Sequence, residues 1–342
     1  MVERLGLGII PGAGWGAAEI RAIAREAEEA SFDAIFTAEV NSDALATTQL
    51  MAEAARRIKV GTWIASIHMR HSYACAKAAA LIADATGGRM ILGLGVSHQP
   101  VNAALGAEMP APLQALRRYT SEVTSWLRGE GPTTHLPQAP APVPVPIYLA
   151  TMTSPTVELA GELADGMMPF MWSAERVSRS KVWAARGRAK AAGRAPLVVA
   201  HGIPTFIGDD IGAMRDAARA NLALFTTFPF YQQDVPRQRL CRGGGEGRSW
   251  RRWRLAERPA ARRGLSYRSD FALPRPAGCV PRRRCRSADL IASDRRRGRA
   301  QGHPHLPPLS WRSAETAAAA FGPAANYHLV SLAYQPKLLA HA

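Results

Sequence analysis

Strand-like and helix-like segments alternate strictly over the first 233 residues of the chain. Helical periodicity is clear over 16–32, where Ile20, Ile23, Ala24 and Ala27 share one face and Glu and Arg side chains lie opposite. The strand-like runs cover 5–12, 33–39, 59–66, 89–97, 147–151, 165–171 and 196–208. This alternation predicts a parallel sheet whose strands are connected by helical crossovers.

A TIM-type (β/α)8 barrel contains eight such units, and only seven are recognisable before the pattern stops. We therefore predict an incomplete TIM-type (β/α)8 barrel whose eighth strand is missing. A doubly wound open sheet is the alternative. The glycine pairs Gly6-Leu-Gly8 and Gly93-Leu-Gly95 do not complete G-x-G-x-x-G, which argues against a dinucleotide-binding Rossmann fold.

The composition changes abruptly after Gln233. Residues 1–233 are almost neutral, with 21 basic and 20 acidic side chains, whereas residues 234–300 hold 20 arginines, no lysine and 6 acids. Aliphatic residues are sparse in the second stretch, so little apolar surface can offset the entropy lost on folding. We therefore expect a barrel domain over 1–233 and an Arg-rich, aberrant or disordered segment over 234–342.

Arginine without lysine indicates a frameshift in a GC-rich gene, because a shifted frame yields Arg, Pro, Gly, Ala and Ser but rarely Lys. The alternative from another functional class is an Arg-rich protein that binds nucleic acid without catalysis. Trp250 and Trp253 could stack on bases. No recognisable binding module accompanies them, which argues against nucleic acid as a partner.

The sequence carries no pattern typical of a membrane protein or a disulfide-bonded protein. It has no run of about 18 apolar residues, and Met1-Val-Glu-Arg leads directly into a strand without a signal peptide. Cys75 reads as a small core residue, while Cys279 and Cys285 lack the spacing of a zinc site. We expect a cytoplasmic protein without disulfides and without a metal.

Four stretches occur in an order and spacing similar to those of the luciferase-like monooxygenase family, TIM-type barrels that use a flavin or the deazaflavin coenzyme F420. They are FDAIFTAE (32–39), RIKVGTWIASIHMRHS (57–72), ATGGRMILGLGVSHQPV (85–101) and PVPIYLATMTSPTVELAGELADGMMPFM (144–171). The most specific part, GGR-x-x-LG-x-G-x-SHQP, resembles the deazaflavin-dependent branch. The resemblance extends from the N-terminus to about residue 233.

The resemblance implies a cofactor site at the carboxyl ends of the strands. Glu39 would lie near the deazaflavin ring and take part in catalysis, although a solvated loop acid is an equal reading. Trp63–Ile64 would form a bulge with a non-proline cis peptide that backs the ring. Ser97 and His98 end the fourth predicted strand, where a neutral imidazole can hydrogen-bond a ring carbonyl or deliver a proton. Val40 stands where the family frequently has a catalytic His, so that role is not carried over.

The turn Thr151–Met152–Thr153–Ser154 precedes a helix expected to begin at Pro155. Exposed N–H groups at a helix N-terminus favour anions, and proline fits the first helical turn. The resemblance implies that this turn binds the cofactor's phosphate. An ordinary N-cap by Ser154 is the alternative.

Together these residues imply an oxidoreductase that transfers a hydride between reduced deazaflavin and a small organic substrate. An FMN-dependent flavin monooxygenase is the close alternative. The expected partner is a small molecule and not a membrane, and a homodimer is left open.

Overall fold

The computed structural model describes residues 4–10, 15–133, 135–191, 193–228 and 231, and the backbone of 327–332. The strands are β1 (Leu5–Ile9), β2 (Ala34–Thr37), β3 (Lys59–Thr62), β4 (Ala65–Ser66), β5 (Met90–Gly95), β6 (Ile147–Thr151), β7 (Gly166–Pro169), β8 (Val198–Thr205) and β9 (Tyr327–Leu332). The helices are α1 (Ala17–Glu29), α2 (Ala44–Ala54), α3 (Ser72–Ala85), α4 (Gln99–Ala104), α5 (Pro112–Arg128), α6 (Ser154–Leu163), α7 (Ala174–Arg188) and α8 (Ile211–Thr226).

The strands form one parallel sheet in the order β3-β2-β1-β9-β8-β7-β6-β5-β4, and β3 also pairs with β5. The sheet therefore curves back on itself, and the helices cross over between successive strands. The seam between β3 and β5 is only partly sealed, because it consists of two paired positions, Val60 with Met90 and Gly61 with Ile91. The predicted TIM-type barrel is confirmed.

The prediction of a missing eighth strand is wrong. Strand β9 lies between β1 and β8 and pairs with both in parallel, from Leu5 with His328 on one side and from Ala200 with Tyr327 on the other. Its sequence, YHLVSL, is a short apolar run interrupted by His328 and Ser331, which suits a strand paired on both edges. The sequence does not predict this strand, because the Arg-rich stretch separates it from the seven recognisable units, although residues 301–342 return to a nearly neutral charge balance.

The Arg-rich stretch itself, 234–300, lies outside the described residues. The predicted division into 1–233 and 234–342 and the proposed frameshift both stay predictions. The pairing of β9 shows only that the barrel draws one strand from beyond residue 300.

The helices fold where the apolar periodicity predicts them. Helix α1 buries Ile20, Ala24 and Ala27, and Ile23 on the same face is half-buried. The carboxylate of Asp43 caps α2 as expected, since Oδ1 accepts from the backbone N–H groups of Leu45 and Ala46, each at 2.9 Å. Among the described helices, none is long and apolar enough to cross a membrane.

Two local details were not predicted. The run 59–66 is not one strand, because the backbone leaves the sheet at Trp63–Ile64 and returns to it in β4. The short helix α4 starts directly after His98, which is its N-cap residue. Both interruptions lie at the carboxyl edge of the barrel, where the loops of parallel barrels carry functional residues.

Candidate functional site

The carboxyl ends of β2, β3, β5, β6 and β7 meet at one rim of the barrel, because all strands run parallel. This rim brings together all the residues predicted from the sequence: Glu39, Trp63, Ile64, Ser97, His98, Thr151, Met152, Thr153 and Ser154. They follow strand ends that are far apart in the sequence. The rim is therefore the candidate site.

Glu39 is anchored within the rim and is not a solvated loop acid. Its side chain is only 12% exposed, as is that of Arg70, with which its Oε1 forms an ion pair. The Oε2 atom accepts a hydrogen bond from the backbone N–H of Ser66 at 2.9 Å, and Oε1 accepts from that of Ala44 at 3.2 Å. The carboxylate thus ties the end of β2 to β4 and to the start of α2.

The partner of Glu39 is held by two acids. Arg70 also donates to Oδ2 of Asp43 at 3.0 Å. Burial by itself disfavours the charged guanidinium, but the charge and hydrogen bond of Glu39 and the charge of Asp43 outweigh it and raise the pKa of Arg70. Arg70 was not among the residues that the sequence predicted for this site.

The Trp63–Ile64 peptide bond is cis, as the resemblance implied. Both residues of the segment are tied to the end of β2, because the N–H of Trp63 donates to the carbonyl of Thr37 at 2.6 Å and the N–H of Glu39 donates to the carbonyl of Ile64 at 3.2 Å. The Trp63 ring packs edge-on against Phe170, with ring centroids 5.2 Å apart. The bulge therefore forms one wall of the rim.

Glycines on two strands of the barrel, β8 and β5, make room for this bulge. A Cβ atom on Gly202 of β8 would overlap the Trp63 ring. A Cβ atom on Gly95 of β5 would lie 2.8 Å from Cγ1 of Ile64, which is closer than carbon atoms pack. Gly95 belongs to the Gly93-Leu-Gly95 pair, which does not complete a nucleotide-binding motif. Its lack of a side chain instead lets Ile64 of the bulge pack closely against β5.

Ser97 and His98 leave β5 through a bend, in which Ser97 has a φ of +60°. The His98 imidazole is half-buried and stacks on Phe228, with ring centroids 4.3 Å apart and an angle of 5° between the ring planes. Burial lowers the pKa of His98, so the neutral imidazole is favoured at pH 7. A neutral His at a strand end can accept a proton or donate a hydrogen bond.

The turn after β6 is only partly available to an anion. The hydroxyl of Thr156 accepts from the backbone N–H groups of Met152 at 3.2 Å and Thr153 at 3.0 Å. The N-cap of α6 is Thr153, not Ser154 as the alternative reading had it, and Pro155 lies in the first helical turn. A phosphate bound here would have to displace Thr156 or use the remaining N–H groups.

Arg176 supplies a cation beside this turn and was missed in the sequence. Its guanidinium lies over the Trp172 ring, 4.3 Å from the centroid, and donates to the carbonyl of Met152 at 2.6 Å. Ser173 caps α7 and thereby sets the position of Arg176, whose N–H donates to the Ser173 hydroxyl at 3.2 Å. The signal available in the sequence was a basic residue in the first turn of a helix, where a helix dipole disfavours one.

His201 is a second histidine that the sequence did not single out. It lies on β8, is buried, and its Nε2 accepts from the backbone N–H of Trp172 at 3.2 Å. It thereby fixes the loop after β7, which carries Trp172 and, through Ser173, Arg176. Only the topology, which places β8 beside β7, reveals this connection.

Buried polar atoms without partners test whether the rim suits a polar ligand. Among the described residues, Oγ1 of Thr37, Oγ1 of Thr151 and Nε1 of Trp172 are buried and accept or donate no hydrogen bond. Buried polar groups are normally paired, and these lie at or just beyond the ends of β2, β6 and β7. A polar ligand at the rim would supply the partners that they lack, so the residues fit a cofactor with several hydrogen-bonding groups.

A cavity of about 550 Å³ lies beside the rim, lined in part by His68, Gln114 and Arg118. It contains none of the predicted site residues. Burial lowers the pKa of His68, and its Nε2 has no partner among the described residues.

In the described part of the chain, no group of three or more His, Cys, Asp or Glu side chains is arranged to hold a metal.

A family model described as luciferase-like monooxygenase matches residues 7–273. A Mycobacterium tuberculosis protein, Rv3520c, which carries the name of a coenzyme F420-dependent oxidoreductase, is 34% identical over 196 residues, which are 49% of this chain and 55% of that protein. The chain spans about half the length of the curated relatives it matches.

Solved structures share the fold. An F420-dependent secondary alcohol dehydrogenase in complex with an F420-acetone adduct is similar with a TM-score of 0.58 and 18% identity, over 67% of this chain and 77% of that one. The FMN complex of the oxygenating constituent of 3,6-diketocamphane monooxygenase from Pseudomonas putida is similar with a TM-score of 0.53 and 16% identity, over 68% and 79%. At these identities the likeness establishes the barrel architecture alone.

Proposed function

Because the chain belongs to the luciferase-like monooxygenase family, we propose that it is an F420-dependent oxidoreductase that transfers a hydride between the deazaflavin and a small organic substrate. The observation that supports this most is the composition of the rim. It brings together the Trp63–Ile64 bulge, the nearly buried Glu39–Arg70 ion pair and the neutral imidazole of His98. The F420-dependent name of the Mycobacterium tuberculosis relative, 34% identical, supports the choice of cofactor.

The proposed cofactor contacts are those that the sequence singled out. Trp63 and Ile64 would back the ring, and Ser97 and His98 would border it. The Thr151–Ser154 turn, with Arg176 beside it, would hold the phosphate, because Arg176 brings a positive charge to a helix N-terminus. When bound there, the deazaflavin would supply or accept the hydride.

Glu39 and His98 would have different roles. The carboxylate of Glu39 is ion-paired with Arg70 and accepts from the backbone N–H of Ser66, two residues after the bulge, so it suits a residue that positions Trp63–Ile64. His98 is the better group for moving a proton, because burial keeps the imidazole neutral. In the oxidative direction it would accept the hydroxyl proton of an alcohol as the hydride leaves the carbon.

Two alternatives remain to be separated by experiment. FMN would make the chain a flavin monooxygenase, and the FMN complex among the fold neighbours supports keeping this alternative. The nucleic-acid reading applies only to residues 234–300, since the rim belongs to the nearly neutral part of the chain.

The test is oxidation of reduced F420 by a panel of small ketones and aldehydes, followed by the absorbance of the oxidised cofactor. We expect turnover by the wild-type chain and a loss of about 10²-fold or more in kcat for His98→Asn. Val182→Ala, on the exposed surface of α7, is the matched control and should behave as wild type. Turnover that requires FMN and oxygen, or an unchanged kcat for His98→Asn, would contradict the proposal.

A further inference from the structure

A cluster of aromatic rings lies at the rim on the side of His98. It consists of His98, Phe170, Phe225, Phe228 and Tyr231, and we call it the aromatic cluster. Phe170 joins it to Trp63 of the bulge, at 5.2 Å between ring centroids. The cluster thus extends from the proposed cofactor wall to the proposed proton acceptor.

One contact in this cluster differs from the rest. The pairs among the phenylalanines and Tyr231 are edge-to-face or tilted, with interplanar angles between 46° and 87°. Phe228 instead lies parallel to the imidazole of His98, with 5° between the planes and 4.3 Å between the centroids. The face of His98 therefore accepts a flat ring lying parallel to it, and Phe228 occupies that place.

Phe228 is held there by packing more than by secondary structure. It lies two residues beyond the end of α8, and its N–H donates to the carbonyl of Phe225 at 3.1 Å while its carbonyl accepts from the N–H of Tyr231 at 3.1 Å. Its side chain is nevertheless only 6% exposed. A ring that takes the place of the Phe228 side chain would thus be shielded from water.

We propose that the face of His98 is the subsite for the ring of a planar aromatic or conjugated carbonyl compound or its alcohol, and that Phe228 is the gate that this ring displaces. The chemical nature of the ring follows from the surroundings, which are aromatic. The role of this ring as substrate rests on the proposed function, whereas the stacking itself does not require a cofactor.

The electrostatics agree with an uncharged ring. Burial lowers the pKa of His98 and raises that of the Tyr231 phenol, so both side chains are neutral at pH 7. A neutral imidazole stacks on an aromatic ring without the desolvation cost that an imidazolium would carry. A charged compound would find no opposite charge within the aromatic cluster itself.

Competition between Phe228 and a ligand has a measurable consequence. The apparent affinity of a ligand is reduced by the fraction of molecules in which its place is free. Removal of the Phe228 ring should therefore strengthen the binding of a flat ligand, whereas removal of an ordinary pocket wall would weaken it. The sign of the change distinguishes a gate from a wall.

The experiment compares acetophenone with cyclohexyl methyl ketone, which carry the same carbonyl group and differ in the planarity of the ring. Calorimetric titration of the full chain without cofactor should show tighter binding of acetophenone by about 2- to 10-fold, the range expected from one stacked pair. Phe228→Ala should tighten acetophenone binding by about fivefold or more and leave the cyclohexyl ketone less affected. His98→Ala should abolish the preference for the flat ring.

Phe228→Leu removes the aromatic ring but keeps the apolar bulk, so it replaces Phe228→Ala in the experiment if that variant does not fold. Val182→Ala is the surface control. Equal binding of the two ketones by the wild type, or weaker acetophenone binding by either Phe228 variant, would overturn the proposal. If Phe228→Ala tightens F420 and not acetophenone, the ring on His98 is the cofactor's own and the substrate subsite is also overturned. A chain that shows the ring preference but does not bind F420 would refute only the proposed function.

Discussion

Glu39 and Arg70 lie at the candidate active site, but their charged groups are already engaged with each other and with the backbone. Both side chains are nearly buried, and the carboxylate also accepts from Ser66 and Ala44. Removal of one partner of a buried ion pair leaves the other charge uncompensated, which costs far more than loss of a surface pair. The pair therefore holds the bulge in place whatever chemistry the rim performs.

We predict that Glu39→Gln lowers the free energy of unfolding by about 3 kcal/mol, near the low end for broken buried pairs because Asp43 still neutralises Arg70. Urea unfolding measures this. Glu53→Gln, which breaks an exposed pair with Arg21, is the matched control and should have only a slight effect. Equal effects of the two substitutions would show that the Glu39–Arg70 pair does not hold the rim.

The neutral state of His98 gives a second prediction at the residue scale. Burial lowers its pKa below the ordinary 6.5, so below that pH the unfolded chain binds a proton that the folded chain resists. The contribution of His98 to stability is therefore complete above about pH 6.5 and is lost as the pH falls towards its folded pKa. His68 acts in the same direction.

Thermal unfolding between about pH 7.5 and about pH 5.5 should thus show a falling melting temperature, and His98→Asn, which cannot titrate, should make the fall shallower. Ligand-free protein in buffers of matched ionic strength is the appropriate sample. If the two proteins show the same pH dependence, His98 is not the buried neutral imidazole described above.

Among the elements of the fold, β8 supports both the bulge and the loop after β7. Gly202 faces the Trp63 ring so closely that no Cβ fits, and His201 beside it holds the loop after β7. One strand thus fixes two walls of the rim through consecutive residues. Neither relation is visible in the sequence, since both depend on which strands become neighbours.

Gly202→Ala should destabilise the chain by about 1–3 kcal/mol through overpacking against Trp63. In a Trp63→Leu background the same change should cost less than about 1 kcal/mol, because the overlapping ring is gone. Urea unfolding of the wild type, the two single variants and the double variant gives the coupling free energy between Gly202 and Trp63. Gly212→Ala, in the first turn of α8, should be neutral or stabilising by up to about 1 kcal/mol. Additive effects at Gly202 and Trp63 would contradict the packing described.

The elements that the sequence predicted correctly are those with a strong local signal. Helix α1 has a periodic apolar face, α2 has Asp43 at its start, and the strands β1 to β8 lie within the seven short apolar runs between turns. What the sequence did not reveal depends on tertiary neighbours. Examples are the Phe228 ring on His98, Arg176 over Trp172, and the Thr156 hydroxyl that occupies part of the predicted phosphate turn.

At the scale of the whole molecule, the barrel depends on a strand that is distant in the sequence. Strand β9 pairs at four positions with β1 and at six with β8, so it separates two strands that would otherwise be open edges. Open edges of a parallel sheet invite association with other chains. The interval between β8 and β9 in the sequence includes the Arg-rich stretch, which explains why a barrel lacking its eighth strand was the natural prediction.

Truncation after Asn326, which removes β9, should therefore cause aggregation and a large loss of soluble protein. Truncation after Ala333, which keeps the strand and removes only the residues that follow, is the matched control and should remain close to wild type. Size-exclusion chromatography of the two truncated chains measures the difference. A monomeric, cooperatively melting protein without β9 would mean that the strand does not complete the barrel.

Equilibrium titration of the purified full chain with F420 and, separately, with FMN, followed by cofactor fluorescence, measures whether the rim binds a deazaflavin. We expect saturable binding of F420 that is at least about tenfold tighter than that of FMN, a difference of about 1.4 kcal/mol. Arg176→Met should weaken F420 binding, while Arg179→Met, exposed on the same helix, should not. Tighter binding of FMN, or no saturable binding of F420, would contradict the proposed deazaflavin site.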